Sequence, residues 1–447
     1  MSAATDAFRN ALRIPELKSR ILFTIMMLAI YRLGAHVPTP GVNGGALARM
    51  MQSSGGLFGF YDMFTGGAFM QATIFALGIM PYISASIIIQ LLVVVIPALE
   101  KLSKEGAEGQ KKITEYTRYG TIGLCIVQSI GVASWLQSMN AQSEIPIVSN
   151  PGIGFYLICI IAFTTGTAFI MWLGEQISEH GVGNGMSLII FAGIAAQVPT
   201  SMMELFASVR AEQISWILVL ALFAVLVAVV AGVIVITTAQ RRIPVQYPRQ
   251  VKGRKMTGGA RTYLPLRVNQ AGVIPIIFAS SLLMLPQMIG GALQSSAIDN
   301  FFETYFAWHG FLYNFTYAAL IIFFCFFYTA ITFNPIEMAE NMKKYGGVIM
   351  GVRPGKATAE YLQKVMTRVT VVGSFFLAGI ALLPTIVQAQ IPALSMNVAS
   401  FFGGTSLLIL VGVALDTVRQ IETHLTMRNY DGFLGGGNAR RVRGRRF

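Results

Sequence analysis

The sequence predicts an all-α polytopic membrane protein: ten transmembrane helices in two inverted five-helix halves, with both termini cytoplasmic. Three observations lead there. Ten apolar segments run through the 447 residues, of which 54% are hydrophobic and only 12% charged, and a mean hydropathy of +0.62 fits no ordinary soluble domain. Thirty of the 33 Lys and Arg residues fall in every second gap between those segments, and only Arg32, Arg49 and Arg210 lie elsewhere. Lys and Arg collect on the cytoplasmic side of membrane proteins, counted over short loops, so the alternation gives span number and orientation together. Finally, five segments lie on either side of residue 200. Five is odd, so the second half inserts upside down relative to the first, an arrangement common in transport proteins.

A helix of about 20 apolar residues crosses the hydrocarbon core. Residues 1–20 form a polar cytoplasmic segment carrying Arg9, Arg13, Lys18 and Arg20, with Pro15 and Glu16 just ahead of the first apolar run. That is not the pattern of a cleavable signal peptide. The N-terminal half, 21–199, holds expected spans at 21–37, 74–99, 119–136, 152–173 and 186–198. The fifth has only 13 residues, and is expected to extend through its Gly-rich lead-in or to sit inside protein. The C-terminal half, 200–418, holds spans at 215–238, 271–289, 311–333, 369–388 and 401–418, followed by a basic tail, 419–447.

The loops differ sharply in charge. Segment 97–118 carries five basic residues, 240–269 eight, 334–368 six and the tail seven, whereas 290–310 and 389–398 carry none. The 174–185 turn lacks Lys and Arg but has Glu175 and Glu179; acidic residues weigh little in the orientation rule.

Two cytoplasmic segments are too long for simple turns. Alternation with Gly and Pro breaks makes 240–269 a hairpin, and 334–368 contains the turn Arg353-Pro354-Gly355. Both are expected to project as basic arms. Topology enforcement accounts for part of their charge, while their length suits docking of a large anionic partner such as RNA, which Lys and Arg bind by neutralising phosphate. The tail's Arg440, Arg441, Arg443, Arg445 and Arg446 suit rRNA or anionic lipid. On the outer side, 39–71 is rich in glycine (Gly55, Gly56, Gly59, Gly66, Gly67), and 61–71 reads as a short, weak helix running into the second span. It is either an ordinary outer loop or an apolar piece that folds back into a cavity.

Several chemistries are missing. Cys125, Cys159 and Cys325 lie within expected spans, and His36, His180, His309 and His424 are scattered, so no metal or other cofactor is expected. The middles of all ten spans lack Asp, Glu, Lys and His; Arg32 lies toward the outer end of its span and Asp416 toward the inner end of the last. Ion- or proton-coupled transporters keep such groups at midplane. The stretch 351–358 is one residue short of a phosphate loop and has Ala after its Lys, so it reads as a turn. No enzyme is expected.

Some motifs are recognisable. They are M-F-T-G-G-A at 63–68, I-F-A-L-G-I-M-P-Y-I-S-A-S-I-I-I-Q at 74–90, W-L-G-E-Q-I-S-E-H-G-V-G-N-G at 172–185 and A-G-V-I-P-I-I-F-A-S-S at 271–281. F-F-C-F-F-Y-T-A at 323–330, F-N-P at 333–335, G-V-R-P-G at 351–355 and F-G-G-T-S-L-L-I at 402–409 follow in order. From about residue 10 to 430 the chain resembles the SecY family, the channel subunits of the bacterial protein-conducting translocon.

That resemblance implies a clamshell of the two inverted halves in the bacterial cytoplasmic membrane, with an hourglass pore between them. The pore ring would be Ile79, Ile83, Ile190, Ile277 and Ile409; an apolar constriction excludes ions by dewetting and parts around a peptide. The plug would be Tyr61, Asp62, Met63, Phe64, Thr65, Gly66 and Gly67. A lateral gate would open between spans 74–99 and 271–289, with Gln90 and Asn269 as its polar positions, setting how apolar an entering segment must be. Arg254, Lys255 and Arg353 would dock the ribosome or the SecA motor. The implied partners are SecE, SecG, SecA, the ribosome and its rRNA, preproteins with signal sequences, SecDF, YidC and anionic lipid. The chain departs from the family at Thr237, where an acidic residue is usual, and at Tyr247-Pro248-Arg249-Gln250, where a basic pair usually follows the Tyr.

The resemblance implies a passive channel driven by SecA or the translating ribosome. Three rivals stand beside it. A small-solute carrier is disfavoured by the empty midplane, and an intramembrane protease by the lack of Ser/His, paired Asp or H-E-x-x-H within spans. An insertase is separated from a channel by export of a soluble preprotein.

Overall fold

The computed structural model describes residues 14–53, 62–142, 146–247, 249–252, 255–258, 261–293, 310–391, 394, 398–399, 401 and 404–435. Tyr61, Arg254, Pro248 and the arginines of 440–446 lie outside them. Helices dominate. In chain order they are α1 (Pro15–Gly34), α2 (Gly44–Ser53), α3 (Met80–Val95), α4 (Pro97–Lys104), α5 (Ala107–Gln142), α6 (Ile153–His180), α7 (Gly185–Arg210) and α8 (Trp216–Thr238). Strands β1 (Gln240–Gln246), β2 (Arg249–Lys252), β3 (Lys255–Gly258) and β4 (Arg261–Arg267) follow. The remainder is α9 (Ile274–Leu293), α10 (Phe311–Thr332), α11 (Pro335–Lys344), β5 (Val348–Ile349), α12 (Lys356–Gln390) and α13 (Thr405–Gly435).

Nine of the ten expected apolar segments overlap one helix each, α1, α5 to α10, α12 and α13, and the second overlaps both α3 and α4. Six of these, α5, α6, α7, α8, α10 (taken with α11) and α12, are long and apolar enough to cross a membrane, and α3 with α4 makes a seventh if the bent pair is one span. Helix α8 is apolar on every face, yet only Leu222, Val229 and Val233 are buried along it. A helix with that profile presents its outer face to an apolar surrounding.

Two expectations need correction. The second span was expected as one helix over 74–99, but residues 74–79 are turns and the chain bends by 101° at Ile96 between α3 and α4. Pro97 starts α4, and Ile96 before it is extended (ψ 113°), because a residue preceding proline is pushed out of the helical region. The fifth span extends not through its glycine lead-in but in the other direction. Asn184 caps α7 by accepting from the Met186 and Ser187 N–H groups, and the helix continues past Pro199 to Arg210.

The helices of the first half pack in order, α3 on α5, α5 on α6, α6 on α7, with α1 against α6 and α7. In the second half α9 packs on α10, α10 on α12, and α8 on α13. The halves meet along two seams, α9 with α3 and α5, and α13 with α7. On the side of the basic loops, Arg118 of α5 makes a two-pronged ion pair with Glu175 of α6, at 2.8 Å in each prong. Glu175 thereby neutralises a basic residue across the neighbouring loop.

The two arms form one module. Strands β1 and β4 pair antiparallel from Gln240↔Arg267 to Gln246↔Arg261, and β2 with β3 continues the hairpin. Strand β5, from the second arm, joins the free edge of β1 at Val245↔Ile349. Beneath this sheet Ile243, Val245, Leu266, Ile349, Phe333, Met342, Leu362 and Met366 form a core separate from the main one. Much of 334–368 is thus not a free arm: α11 and the first turns of α12 back the hairpin.

Candidate functional site

The site centres on residues 62–72, which stand between α2 and α3; 62–66, 68, 69 and 72 are buried, while Gln71 is exposed. Asp62 is 4% exposed, Met63 4%, Phe64 3% and Thr65 0%. The weak helix expected over 61–71 is confined to 62–65 and gives way to turns. Gly66 and Gly67 end it, with φ of +69° and +92°, a region where glycine alone avoids a steric penalty.

Two helices hold this segment by its backbone. From α1, the Tyr31 hydroxyl donates to the Thr65 carbonyl at 3.3 Å, and Arg32 Nη1 donates to the Gly66 carbonyl at 2.9 Å. From α7, Gln197 Nε2 donates to the Asp62 carbonyl at 3.0 Å and to its Oδ2 at 3.2 Å. A Cβ on Gly66 would meet Arg32 Nη1 and the Gly193 Cα at 2.8 Å each, and one on Gly193 would meet the Phe64 carbonyl oxygen at 2.9 Å. Ile190, Gly193 and Gln197 follow helical spacing, so one face of α7 serves the segment.

The Asp62 carboxylate is built into the turn. Its Oδ1 accepts the Met70 N–H at 2.8 Å, and its carbonyl also accepts from Thr65 Oγ1 at 3.0 Å and the Gly67 N–H at 3.1 Å. Burial pushes its carboxyl up to about 6, while the Met70 and Phe69 N–H groups and the Gln197 and Thr65 side chains pull it down. Desolvation outweighs the donors because no cation is paired with it; the ion pairs among the described residues leave Asp62 out.

The five isoleucines come from four elements. Ile79 caps α3 and Ile83 lies one turn inside it, joined by the Ile83 N–H to Ile79 carbonyl bond at 3.1 Å. Ile190 is on α7, Ile277 on α9 and Ile409 on α13. All five are buried, and one apolar core contains them together with Met63 and Phe64.

The polar positions Gln90 and Asn269 are each satisfied locally. Gln90 Nε2 donates to Ser86 Oγ at 3.2 Å, and Asn269 Nδ2 to the Gly272 carbonyl at 3.0 Å. Gln90 is on α3, whereas Asn269 lies in the connection between β4 and α9; α3 packs on α9, and Ser281 Oγ lies 3.8 Å from Met80 Sδ across that seam. Lys255 opens β3, opposite Lys252. Arg353 is exposed in the turn after β5, and its carbonyl accepts from Thr358 Oγ1 at 2.9 Å. At Thr237, where an acid was expected, Arg419 Nη2 instead donates to the backbone carbonyl at 3.3 Å. Cys125, Cys159 and Cys325 are buried free thiols, and no group of three or more metal-ligating side chains occurs among the described residues.

Sequence reasoning missed Tyr31, Arg32, Gly193 and Gln197. Only Arg32 left a signal, as one of three basic residues outside the basic loops.

A family model described as SecY matches residues 73–418. The protein translocase subunit SecY of Aquifex aeolicus (strain VF5) is 44% identical over 432 residues, covering 96% of this chain and 99% of that protein. Its counterpart in Streptomyces griseus is 48% identical over 440 residues, with the same 96% and 99% coverage. Among solved structures, a protein-conducting channel superposes with a TM-score of 0.65 at 19% identity, covering 95% of each chain; at that identity the likeness carries the fold.

Proposed function

The chain belongs to the SecY family, and from that premise we propose that it is the central subunit of a protein-conducting channel. It passes unfolded secretory preproteins across the bacterial cytoplasmic membrane and releases transmembrane segments sideways into lipid. All ten apolar helices span, in two inverted halves, with both termini cytoplasmic. The pore is passive: no bond is made or broken in it, and SecA or the translating ribosome supplies the drive.

One observation carries this reading. Met63 and Phe64 of a non-spanning segment, 62–67, are buried in the same apolar core as isoleucines from α3, α7, α9 and α13. Those isoleucines form the constriction, which excludes ions by dewetting, and the segment is the plug beneath it. Its anchors suit a removable part: Tyr31, Arg32 and Gln197 grip carbonyl oxygens by hydrogen bonds, each net worth only about 1 kcal/mol, or about 2 for the charged donor. The seam between α3 and α9 is the lateral gate, with Gln90 and Asn269 flanking it. The arm module, with Arg254, Lys255 and Arg353, docks SecA or rRNA. SecE and SecG complete the channel, with SecDF and YidC as accessory partners.

The test is ATP-driven translocation of a signal-bearing preprotein into proteoliposomes holding this chain, SecE, SecG and SecA. Protease-protected, full-length preprotein that requires both the chain and the signal sequence supports the channel. No protection, with the complex assembled and SecA active, points to an insertase or a small-solute carrier.

A further inference from the structure

Each end of α7 is seated in a small apolar cluster that stands apart from the main core and takes residues from both halves. At its C-terminal end the chain itself crosses from one half to the other, through residues 211–215. There Leu205 and Val209 of α7 and Ile214 of the connection pack with Leu222 of α8, Leu394 and Val398. At the N-terminal end the halves meet without a covalent link, and the turn 181–184 is held from both. From α1, Thr24 Oγ1 accepts the Val182 N–H at 3.0 Å and Arg20 Nη1 donates to the Gly181 carbonyl at 3.5 Å. From α13, Gln420 Oε1 accepts the Gly183 N–H at 3.0 Å. Gln420 is exposed, so most of the join comes from Leu17 and Val182, both buried, which pack with Ile21 of α1 and with Ile421 and Leu425 of α13. Gly183 has a φ of +90°, and a Cβ on it would meet Leu188 Cδ1 at 2.8 Å and Thr417 Oγ1 at 3.3 Å. The close approach of the turn to α13 therefore depends on glycine.

We infer that the turn 181–184 and α13 form a clasp that stays closed while the α3–α9 seam parts, a second and non-covalent pivot between the halves. The inference rests on reading the α3–α9 seam as the lateral gate. One point of attachment lets two bodies turn in any direction about it, whereas two points define an axis. The 26 residues of α7 set the clasp and the 211–215 connection about 39 Å apart. Helix α13 follows that line, since it packs on both α7 and α8. The α3–α9 seam is built differently. The Ser280 and Ser281 hydroxyls there donate to the Ile277 carbonyl of their own helix, and the one bond across the seam is the weak contact of Ser281 with Met80 sulfur among the described residues. At the clasp, by contrast, polar groups of three elements bond to one another. An apolar segment that wedges the halves apart is thereby directed to the seam with the weaker ties, and the halves swing as on a hinge.

The experiment follows protease-protected preprotein in proteoliposomes of this chain with SecE, SecG and SecA. Two cysteine pairs, V182C with I421C and M80C with S281C, are each joined by a short bismaleimide, and each preparation is assayed before and after linking. The native cysteines are buried and so are shielded from the reagent. A third version adds L17S and Q420L to the first pair, to loosen the clasp. Linking across the clasp is expected to leave translocation within about twofold of its unlinked value, and linking across the gate to lower it about tenfold or more. The loosened version is expected to start about tenfold low and to recover on linking, a rescue that a folding defect would not show. Loss of translocation on linking the clasp overturns the pivot and leaves the gate standing. Full activity of the loosened version, or no recovery when it is linked, does the same. Unchanged translocation on linking M80C to S281C overturns the gate reading and the pivot with it.

Discussion

The Gln197 amide of α7 donates to both the backbone carbonyl and the carboxylate of Asp62, at 3.0 and 3.2 Å. One side chain thus ties a membrane helix to a segment 135 residues earlier, at the start of that segment's single helical turn, 62–65. Together with Arg32 on α1, it makes the segment's position a property of two helices rather than of the loop.

Replacing Arg32 should loosen the segment more than replacing Tyr31. Arg32 supplies a charged donor at 2.9 Å, Tyr31 a neutral one at 3.3 Å, and hydrogen bonds to charged groups contribute about 1.5–3 kcal/mol. We expect R32L to raise the resting leak at least tenfold and R32Q, which keeps a donor, to raise it less. Equal leaks in R32L and Y31F would count against this ranking.

Gly66→Ala should act in the same direction for a steric reason. The added Cβ meets Arg32 Nη1 and Gly193 Cα at 2.8 Å, and the positive φ of +69° costs a non-glycine residue about 1–2 kcal/mol. Since Gly193→Ala strains the same contact from the other side, the double mutant should leak less than the product of the single effects. Simple multiplication of the two would mean that the helix and the segment do not share this contact.

The arm module offers a prediction independent of the pore. Leu362 is fully buried beneath the sheet, and Leu→Ala in such a core costs about 2–5 kcal/mol. L362A should speed proteolysis within 240–269, although Leu362 lies in the other arm. Unchanged cleavage there would show that the arms are stabilised separately.

At Thr237 the expected effect is small. Substituting Glu restores the acid usual in the family and offers Arg419 a carboxylate in place of a carbonyl, but the Arg419 side chain is 31% exposed. Such a pair contributes at most about 1 kcal/mol and is screened by salt. A Tm gain of a few degrees at low salt, lost at high salt, is expected; a salt-independent gain would implicate packing instead.

Legibility followed the range of the interactions. Helix α8 was plain in the sequence because its 23 residues are apolar on every face. The hairpin over 240–267 was legible from alternation and turn residues, which are local signals. The strand β5 was not, since two residues carry no periodicity and their partner, β1, lies about a hundred positions away. The fifth span, expected over 186–198, runs on through Pro199 to Arg210, as membrane helices tolerate when neighbours re-satisfy the backbone. The segment proposed as the plug was named only by family resemblance, and of its anchors only Arg32 left a signal, as a basic residue outside the basic loops. Gln197 looked like any polar residue near a helix end, and nothing local marks it as the partner of Asp62.

The most direct test of the channel assignment is photocrosslinking from a translocating chain. A preprotein stalled midway by a folded C-terminal domain would be challenged with photoreactive residues placed at Ile83, Ile190, Ile277 and Ile409. The same probe would be placed at Leu220 and Phe223, which lie 75% and 56% exposed on the outside of α8. Signal-dependent crosslinks at all four isoleucine positions, and none on α8, are expected for a pore through the core. Crosslinks confined to α8, with the isoleucines silent, would contradict it and place the passing chain at the lipid-facing surface.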